Sequence, residues 1–573
     1  MIPFDDTFPR TLDNLPLDAT TVWLFESAAA RRATERHARD AGRTLRVRSA
    51  YKTLLHDVIE DGVLIDASRA TIHYPVVAGC AEDRFRLECY PLHALYSNCA
   101  VDFVPAPHDG PGLPEYRVET PSGSSTFTVP VCWAEDEEGQ PILAACRWQA
   151  DADGMGGHLP TDYEAIFARA CAAIRSLPLD PLDQTEPDGP FFERLDVEVE
   201  IPAEDCTLPV GHECISLAEA LHEDIYFAAL EIFRHRLGLG PEERSVKFGQ
   251  IVPRVTTGPV PRLAMRLVPG DARPEPGDAM CPDLDGATHW LAPSAIEAHL
   301  KALGGTRFAA RSRQGRSVPG VSVEGSGPGR LAISAGQHAN ESSPMVGALR
   351  AARDLAAEGV VSFTLNPLEN PDGYAVFREL CQTQPRHMHH AARYTASGAD
   401  LSHGAGAYES GIRDLARGHL DATVHVNLHG YPSHEWTRPL SGYIPRGFGQ
   451  WTIPKGFFLI LHHAPGQEEL ARQVLNAALG ALADLPDLVR QNRRMLELYD
   501  RYVSERAFEL YADSIPFTVM ETEGEPYPVT LITEAPDETI YGEDFRIAHE
   551  GQYAVVRAVA ALLGSDSKFG GLS

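Results

Sequence analysis

The sequence has few basic residues for its length and no long apolar run. Asp and Glu number 80 against 50 Lys and Arg, which gives a formal net charge of −30. Such a charge repels phosphate backbones and anionic lipid, so it argues against nucleic acid and membrane surfaces as partners. No stretch reaches the roughly 18 apolar residues that span a bilayer, and the acidic residues 1–6 lack the basic and apolar parts of a secretory signal. We therefore predict a cytoplasmic protein.

Cysteine motifs and common catalytic loops are also missing. The ten cysteines lie between Cys80 and Cys381 without a C-x-x-C pair, which argues against a zinc knuckle or a dithiol redox motif, and we expect buried, reduced thiols. The N-terminal half has no G-x-G-x-x-G, P-loop or G-x-S-x-G motif, and the four His-Glu pairs of the chain lack the second histidine of an H-E-x-x-H zincin. We expect the N-terminal half to shape or cover a cleft, or to build the interface of a homo-oligomer.

The length of 573 residues predicts two or three domains. Mixed strand and helix patterns predict an α+β domain over 1–155, and a Gly- and Asp-rich patch at 151–157 marks its end. We predict a helical or linker region over 156–289, with a helix over 216–237 that begins with a capping box of Ser216 and Glu219. The remainder, 290–573, is predicted to be the catalytic domain.

From about residue 290, short apolar runs alternate with helical patterns. The predicted strands are 330–335, 361–365, 422–428, 457–461 and 529–533, and the predicted helices are 343–357, 467–485 and 545–563. This alternation predicts an α/β fold with a mainly parallel or mixed, doubly wound sheet. In such a sheet, functional groups collect at the carboxyl ends of the strands.

Polar residues follow several of these predicted strands. His338 and Glu341 come just after the first, and His429 and Glu534 end the third and the last. A zinc ion takes imidazole nitrogens and carboxylate oxygens at about 2 Å and needs an open position for catalysis. A His-x-x-Glu spacing such as that of His338 and Glu341 is expected about once or twice by chance in this sequence. The repeated placement of histidine and glutamate after predicted strands nevertheless favours one metal site.

The ordered set of motifs resembles the M14 zinc carboxypeptidases over about 290–565. The resemblance rests on the strand followed by Gly-x-His-x-x-Glu, a Gly-Arg hairpin at 313–317, Asn-Pro-Asp-Gly-Tyr at 370–374, Gly-Ala-Asp-Leu at 398–401, and the two strand-ending residues. It implies that His338, Glu341 and His429 bind one Zn²⁺ per chain. It also implies that Glu534 is the general base and that Asp400 orients His338.

The resemblance leaves several supporting residues open. Arg386 stands where the arginine that polarises the scissile carbonyl is expected, and Arg393 is its rival. Tyr511 and Tyr527 are both candidates for the phenol that family members place over the substrate. Asn340 occupies a position that is often arginine in the family, which weakens the expected grip on substrate.

The substrate-carboxylate site departs from the family pattern. Ser402 and His403 stand where carboxypeptidases carry an Asn-Arg pair, and neither replaces a bidentate guanidinium. We therefore predict zinc-dependent hydrolysis of a peptide or small-molecule amide by a carboxypeptidase-like peptidase with shifted specificity. The alternatives are a small-molecule N-acyl amide hydrolase on the same fold, and a pseudoenzyme that binds a peptide or partner in the same cleft.

The remaining histidines of this region have weaker claims to a metal. His425 lies on the same strand as His429 and is expected to pack inside the sheet. We expect His434 and the cluster of His387, His389 and His390 to be surface residues or to orient other side chains.

Overall fold

The computed structural model describes residues 3–110, 112–150, 156–158, 160–182, 189–240, 243, 247–270, 283–401, 408–444, 449–503 and 505–565. The first part begins with strands interspersed with helices and ends with a run of strands, in the order β1 Phe4–Thr7, β2 Thr21–Leu24, α1 Ala28–Asp40, β3 Arg46–Ser49, α2 Thr53–Asp61, β4 Arg69–Val77, α3 Arg84–Leu87, α4 Leu92–Leu95, β5 Ala100–His108, β6 Glu115–Thr120, β7 Gly123–Thr128, β8 Val131–Glu135, β9 Pro141–Ala145, β10 Trp148–Ala150 and β11 Gly156–Gly157.

The middle of the chain forms α5 Asp162–Arg175, β12 Arg194–Ile201, β13 Cys206–Thr207, β14 Cys214–Ile215, α6 Leu217–Arg236, β15 Gln250–Thr257 and β16 Arg262–Val268. The last part forms α7 Pro293–Ala302, β17 Thr306–Arg311, β18 Ser317–Val323, β19 Arg330–Ala335, α8 Ser343–Glu358, β20 Ser362–Asn366, α9 Pro371–Cys381, α10 Gly411–His419, β21 Val424–Pro432, β22 Phe458–His463, α11 Glu468–Ala483, α12 Pro486–Tyr502, β23 Glu509–Tyr511, β24 Ile515–Glu521, β25 Val529–Asp537 and α13 Glu543–Ser565.

A nine-stranded mixed sheet organises the last part, in the order β17-β18-β20-β19-β21-β25-β22-β24-β23. Its centre is parallel, because β20, β19, β21 and β25 pair in the same direction. All nine residues of β21 are buried, as expected for a central strand with both faces covered. The sheet confirms the predicted α/β character; its doubly wound arrangement stays a prediction.

The predicted boundary at residue 155 does not separate the smaller sheets. Strand β1 pairs with β16 in the sheet β1-β16-β12-β15, so the first residues share a sheet with the middle region. The predicted helical or linker region over 156–289 contains the strands β12, β15 and β16 of that sheet. These strands were missed because Pro253 and several charged residues interrupt their apolar pattern.

Helix α6 begins as predicted, although only half of its capping box forms. Ser216 Oγ accepts a hydrogen bond from Glu219 N at 3.0 Å. The Glu219 carboxylate instead accepts from Met388 N at 2.7 Å and contacts His434 Nε2 at 2.8 Å. The capping glutamate therefore ties α6 to the last part of the chain. No helix in the described ranges has the length and apolar character needed to cross a bilayer.

Candidate metal centre and active site

A glycine turn at the end of β19 places the first two candidate ligands. Gly336 has φ +67°, and a Cβ there would lie 3.0 Å from Leu368 Cα, so both the conformation and the space favour glycine. The turn continues until Glu341 N donates to His338 O at 3.2 Å. This local geometry directs both side chains towards the same point beyond the strand.

The other two candidate residues come from neighbouring strands. Strand β21 lies beside β19, and β25 lies beside β21, all in parallel. His429 on β21 is the direct partner of Glu534 on β25 in this register. The carboxyl ends of parallel strands share one edge of a sheet. His429 and Glu534 therefore lie near His338, although they are 91 and 196 positions further along the chain.

His338, Glu341 and His429 form a compact, buried group. His338 Nδ1 lies 2.8 Å from Glu341 Oε1, His429 Nδ1 lies 3.0 Å from Glu341 Oε2, and the two Nδ1 atoms are 3.1 Å apart. Ligands of one tetrahedral zinc ion at about 2.0–2.1 Å stand roughly 3.3 Å from each other. The donor set and its spacing therefore fit a divalent cation, with one tetrahedral position left open.

The charges of this group keep Glu341 ionised. Burial and the charge of Arg393 oppose protonation of His338, but the Glu341 and Asp400 carboxylates outweigh them and raise its pKa. Burial opposes ionisation of Glu341, but the charges of His338 and His429 outweigh it and hold the pKa of Glu341 well below its usual range. Burial lowers the pKa of His429 and outweighs the charge of Glu341. An ionised carboxylate and a neutral imidazole are the forms that bind metals.

Asp400 and Arg393 flank this group, whereas Arg386 does not. Asp400 Oδ1 lies 3.5 Å from His338 Nε2, on the opposite side of the ring from Glu341. Arg393 Nη1 donates to Glu341 Oε1 at 3.3 Å. Arg386 is exposed and interacts electrostatically with Tyr541. The structure thus brings the rival arginine to the site in place of the one favoured by sequence spacing.

Glu534 is buried beside this group and has an oxygen, Oε2, without a hydrogen-bond partner among the described residues. Burial, followed by the charge of Glu341, raises the pKa of Glu534 well above its usual value, while Arg393 and Lys455 oppose the shift.

Lys455 is itself buried, and this burial lowers its pKa to about 7. Its Nζ lies 4.4 Å from the ring centres of Trp451 and Phe458. Sequence reasoning missed this lysine because no motif contains it.

Two further buried groups near the site have unpaired polar atoms. Neither amide atom of Asn340 has a hydrogen-bond partner among the described residues. The same holds for both carboxylate oxygens of Glu538, which has φ +63° just after β25. The Glu538 carboxylate interacts electrostatically with Glu341 and Arg393, which places it near the metal centre. An unpaired, buried polar group is costly and often marks a functional site.

The structure does not bring the two tyrosines to this group. Tyr511 is 37% exposed on β23, the outermost strand of the large sheet. Tyr527 packs against His425, with ring centres 4.7 Å apart, in a small cluster that contains Ala332 in the middle of β19. His425 is buried as predicted, and its Nε2 lies 2.7 Å from Ser334 Oγ. Ser402 and His403 lie outside the described residues.

The Asn-Pro-Asp-Gly-Tyr motif starts helix α9 and holds the preceding hairpin. Asn370 Oδ1 caps the helix by accepting from Gly373 N at 2.8 Å, and Pro371 occupies its first turn. Asp372 accepts hydrogen bonds from Ser312 Oγ at 2.7 Å and Arg316 Nη1 at 2.8 Å. Two motifs on which the resemblance rests therefore contact each other and support the sheet, and neither contributes a candidate ligand.

Comparison with known proteins gives distant similarity in structure alone. No protein-family model matches this sequence, and no curated protein matches it. A putative metallopeptidase from Shewanella denitrificans OS217 is 14% identical, with a TM-score of 0.29 over 48% of this chain and 90% of its own. Carboxypeptidase A from Helicoverpa armigera is 10% identical, with a TM-score of 0.33 over 65% of this chain and 98% of its own. A metallo-carboxypeptidase from Pseudomonas aeruginosa is 13% identical, with a TM-score of 0.29 over 48% and 69%. Such low values assign no family and no activity.

Proposed function

We propose that this chain is a zinc-dependent hydrolase of peptide or related amide bonds. The observation that carries the proposal is the convergence of His338, Glu341 and His429 beside the unpaired carboxylate oxygen of Glu534. Two imidazoles and one carboxylate form a common ligand set of catalytic zinc, and an open fourth position admits water or substrate. A binding protein has no need for a buried carboxylate with an unpaired oxygen at that position.

The chain's own residues supply the proton transfers and the charge stabilisation. Zinc held by these ligands would supply Lewis acidity and lower the pKa of water towards about 7. Glu534 takes the proton of the attacking water and later delivers it to the leaving nitrogen. Arg393 stabilises the negative charge that develops on the carbonyl oxygen, and Asp400 orients the His338 ring.

A carboxypeptidase-like peptidase with shifted specificity remains our proposal for the substrate class, with N-acyl amide hydrolysis as the alternative. Three substrates distinguish an ordinary carboxypeptidase, a peptidase with shifted specificity and an N-acyl amide hydrolase. They are a free-carboxylate peptide, its C-terminal amide and an N-acyl amino acid. We expect the peptide amide to be cleaved at least as well as the free acid, because the Asn-Arg pair is replaced. A strong preference for the free acid contradicts the shifted specificity and leaves the hydrolase proposal intact.

The hydrolase proposal is tested by Glu534→Gln, which removes the proton acceptor and keeps the shape of the side chain. We expect the zinc content to stay the same while kcat falls about 10²–10⁴-fold, the range for loss of a general acid or base. Zinc quantification and turnover of a peptide-amide library measure the two quantities. Glu523→Gln, at an exposed position of the same charge, is the control and should retain activity. A zinc-loaded Glu534→Gln protein with full activity contradicts the role of Glu534.

A further inference from the structure

A second group of side chains that could bind a metal ion lies earlier in the sequence than the group of His338, Glu341 and His429. Cys132, Cys146 and His158 each offer a ligand atom, and these atoms lie within 4.8 Å of one another. A third group in the described ranges, His463, Glu468 and Glu521, has two exposed glutamates and no thiol. Thiolates and imidazole are the ligands that zinc prefers in protein sites. The cysteine group is therefore the stronger candidate.

The two cysteines lie diagonally across an isolated hairpin. Among the described residues, strands β8 and β9 pair only with each other, and Cys132 is the partner of Ala144, two residues before Cys146. Diagonal neighbours in an antiparallel pair stand about 7–8 Å apart, whereas the Cα atoms of a disulfide are usually about 4.4–6.8 Å apart. Both thiols are free. One ion between the sulfurs, at about 2.3 Å from each, suits this arrangement better than a direct bond.

His158 joins the hairpin to the beginning of α5. Its side chain is 36% exposed, so solvent and metal reach it, and its Nε2 lies 2.8 Å from Glu164 Oε1. Glu164 is fixed in turn, since its Oε2 accepts from Thr161 N at 2.7 Å in the capping box of α5. A carboxylate that holds one imidazole nitrogen and leaves the other for a metal is a frequent arrangement around zinc.

From this geometry we infer a second zinc site, formed by Cys132, Cys146 and His158, with Glu164 as the residue that positions the imidazole. Three protein ligands leave one tetrahedral position for water. The ion ties hairpin β8–β9 to the first turn of α5. A two-stranded hairpin is only marginally stable alone, so the bound ion stabilises this part of the fold.

Zinc binding would change the state of both thiols. A thiol must lose its proton to bind zinc. Binding therefore releases thiol protons and leaves the sulfurs unreactive.

The test is zinc quantification in the full-length protein, purified under reducing conditions and loaded with zinc. We expect about two zinc ions per chain in the native sequence and about one in Cys132→Ser/Cys146→Ser. The sequence predicts one ion, which corresponds to the site of His338, Glu341 and His429. Cobalt substitution provides the second readout, because only a thiolate ligand gives a sulfur-to-cobalt charge-transfer band. That band should persist in His429→Ala and disappear in the double cysteine variant.

Hairpin β13–β14 provides a matched control. It also carries two cysteines, Cys206 and Cys214, but these belong to no metal-binding group among the described residues. Cys206→Ser/Cys214→Ser should keep both zinc ions and the cobalt–thiolate band. Equal loss of zinc from the two double variants overturns the assignment of the site.

Thiol labelling keeps the inference testable if the double variant does not fold. In the zinc-loaded native protein, a maleimide should label the half-buried Cys132 only after a chelator is added. Labelling at the same rate before and after chelation overturns the inference, as does a Cys132–Cys146 disulfide in the reduced preparation or the absence of a thiolate band. None of these readouts depends on hydrolysis, so they stand apart from the proposed activity.

Discussion

Two neighbouring groups of histidines and carboxylates differ in how their atoms meet. At the sheet edge, His338 and His429 face the same carboxylate, Glu341, within 3.1 Å. In the second group each histidine has its own acid: His387 with Asp205 at 2.6 Å, His390 with Glu223 at 2.5 Å and His434 with Glu219 at 2.8 Å.

The difference separates a metal site from a set of structural contacts. Three atoms that converge on one point fit a cation, whereas one-to-one pairs do not bring three ligand atoms to a common point. Each acid of the second group belongs to α6 or to the segment just before it, and each histidine to the catalytic region. The pairs therefore connect the middle of the chain to the region that carries the candidate metal centre.

The largest expected effect comes from removing one histidine from each group. His429→Ala should reduce the zinc content of the sheet-edge site from one ion to nearly none and abolish turnover, because two ligands no longer enclose the ion. His434→Gln should keep that ion. Zinc quantification on a Cys132→Ser/Cys146→Ser background measures this site alone. Equal zinc loss in both variants contradicts the distinction between the groups.

A smaller effect is expected from the two candidate arginines. Arg393→Ala should lower kcat by about 10²–10³-fold, the usual cost of losing a group that stabilises the developing oxyanion. Arg386→Ala should leave kcat unchanged, since that side chain is exposed and lies near Tyr541. Steady-state kinetics on the same amide substrate compare the variants. A larger loss of kcat in Arg386→Ala than in Arg393→Ala contradicts the assignment of Arg393 and favours Arg386, which the spacing in the sequence indicated.

The smallest effect concerns the pH dependence of stability. Burial opposes protonation of His434, but the charge of Glu219 outweighs it and raises the pKa of His434 to about 9, with Glu213 and Glu538 acting in the same direction. Since the folded protein binds this proton more tightly than the unfolded chain, the stabilisation is complete below pH 6.5 and is lost as the pH rises through 9. The amount is at most about 3 kcal/mol.

Urea unfolding of the native protein and His434→Gln between pH 6 and 9.5 measures this contribution. The native protein should lose stability across that interval relative to the variant. A difference that does not change with pH contradicts the proposed protonation of His434. His235→Gln, at an exposed position of α6, is the control and should follow the native protein.

The sequence was sufficient for the central strands and for the placement of His338, Glu341, His429 and Glu534 near the carboxyl ends of those strands. The predicted strand 330–335 coincides with β19, and the predicted strand 529–533 lies within β25. These strands are buried on both faces, so their sequences are nearly continuous apolar runs, which distinguishes them from turns. Glycine or a polar residue then marks the end of each strand.

Residues placed by tertiary contacts were not predictable in the same way. Arg386 and Arg393 are seven positions apart, and only the path of the chain after α9 decides which one reaches Glu341. Glu538 and Lys455 lie outside any motif, and their significance comes from burial and from their neighbours. The sheet β1-β16-β12-β15 was missed because its strands are short or rich in charged residues.

The pairing of Phe4–Thr7 with residues 262–265 has a consequence for how the chain is made. During synthesis, the opening segment has no partner until the ribosome has added more than two hundred further residues. Until then its strand edge stays open to other chains, including those emerging from neighbouring ribosomes. Assembly of this sheet is therefore a late event in which the ends of a long covalent loop must find each other.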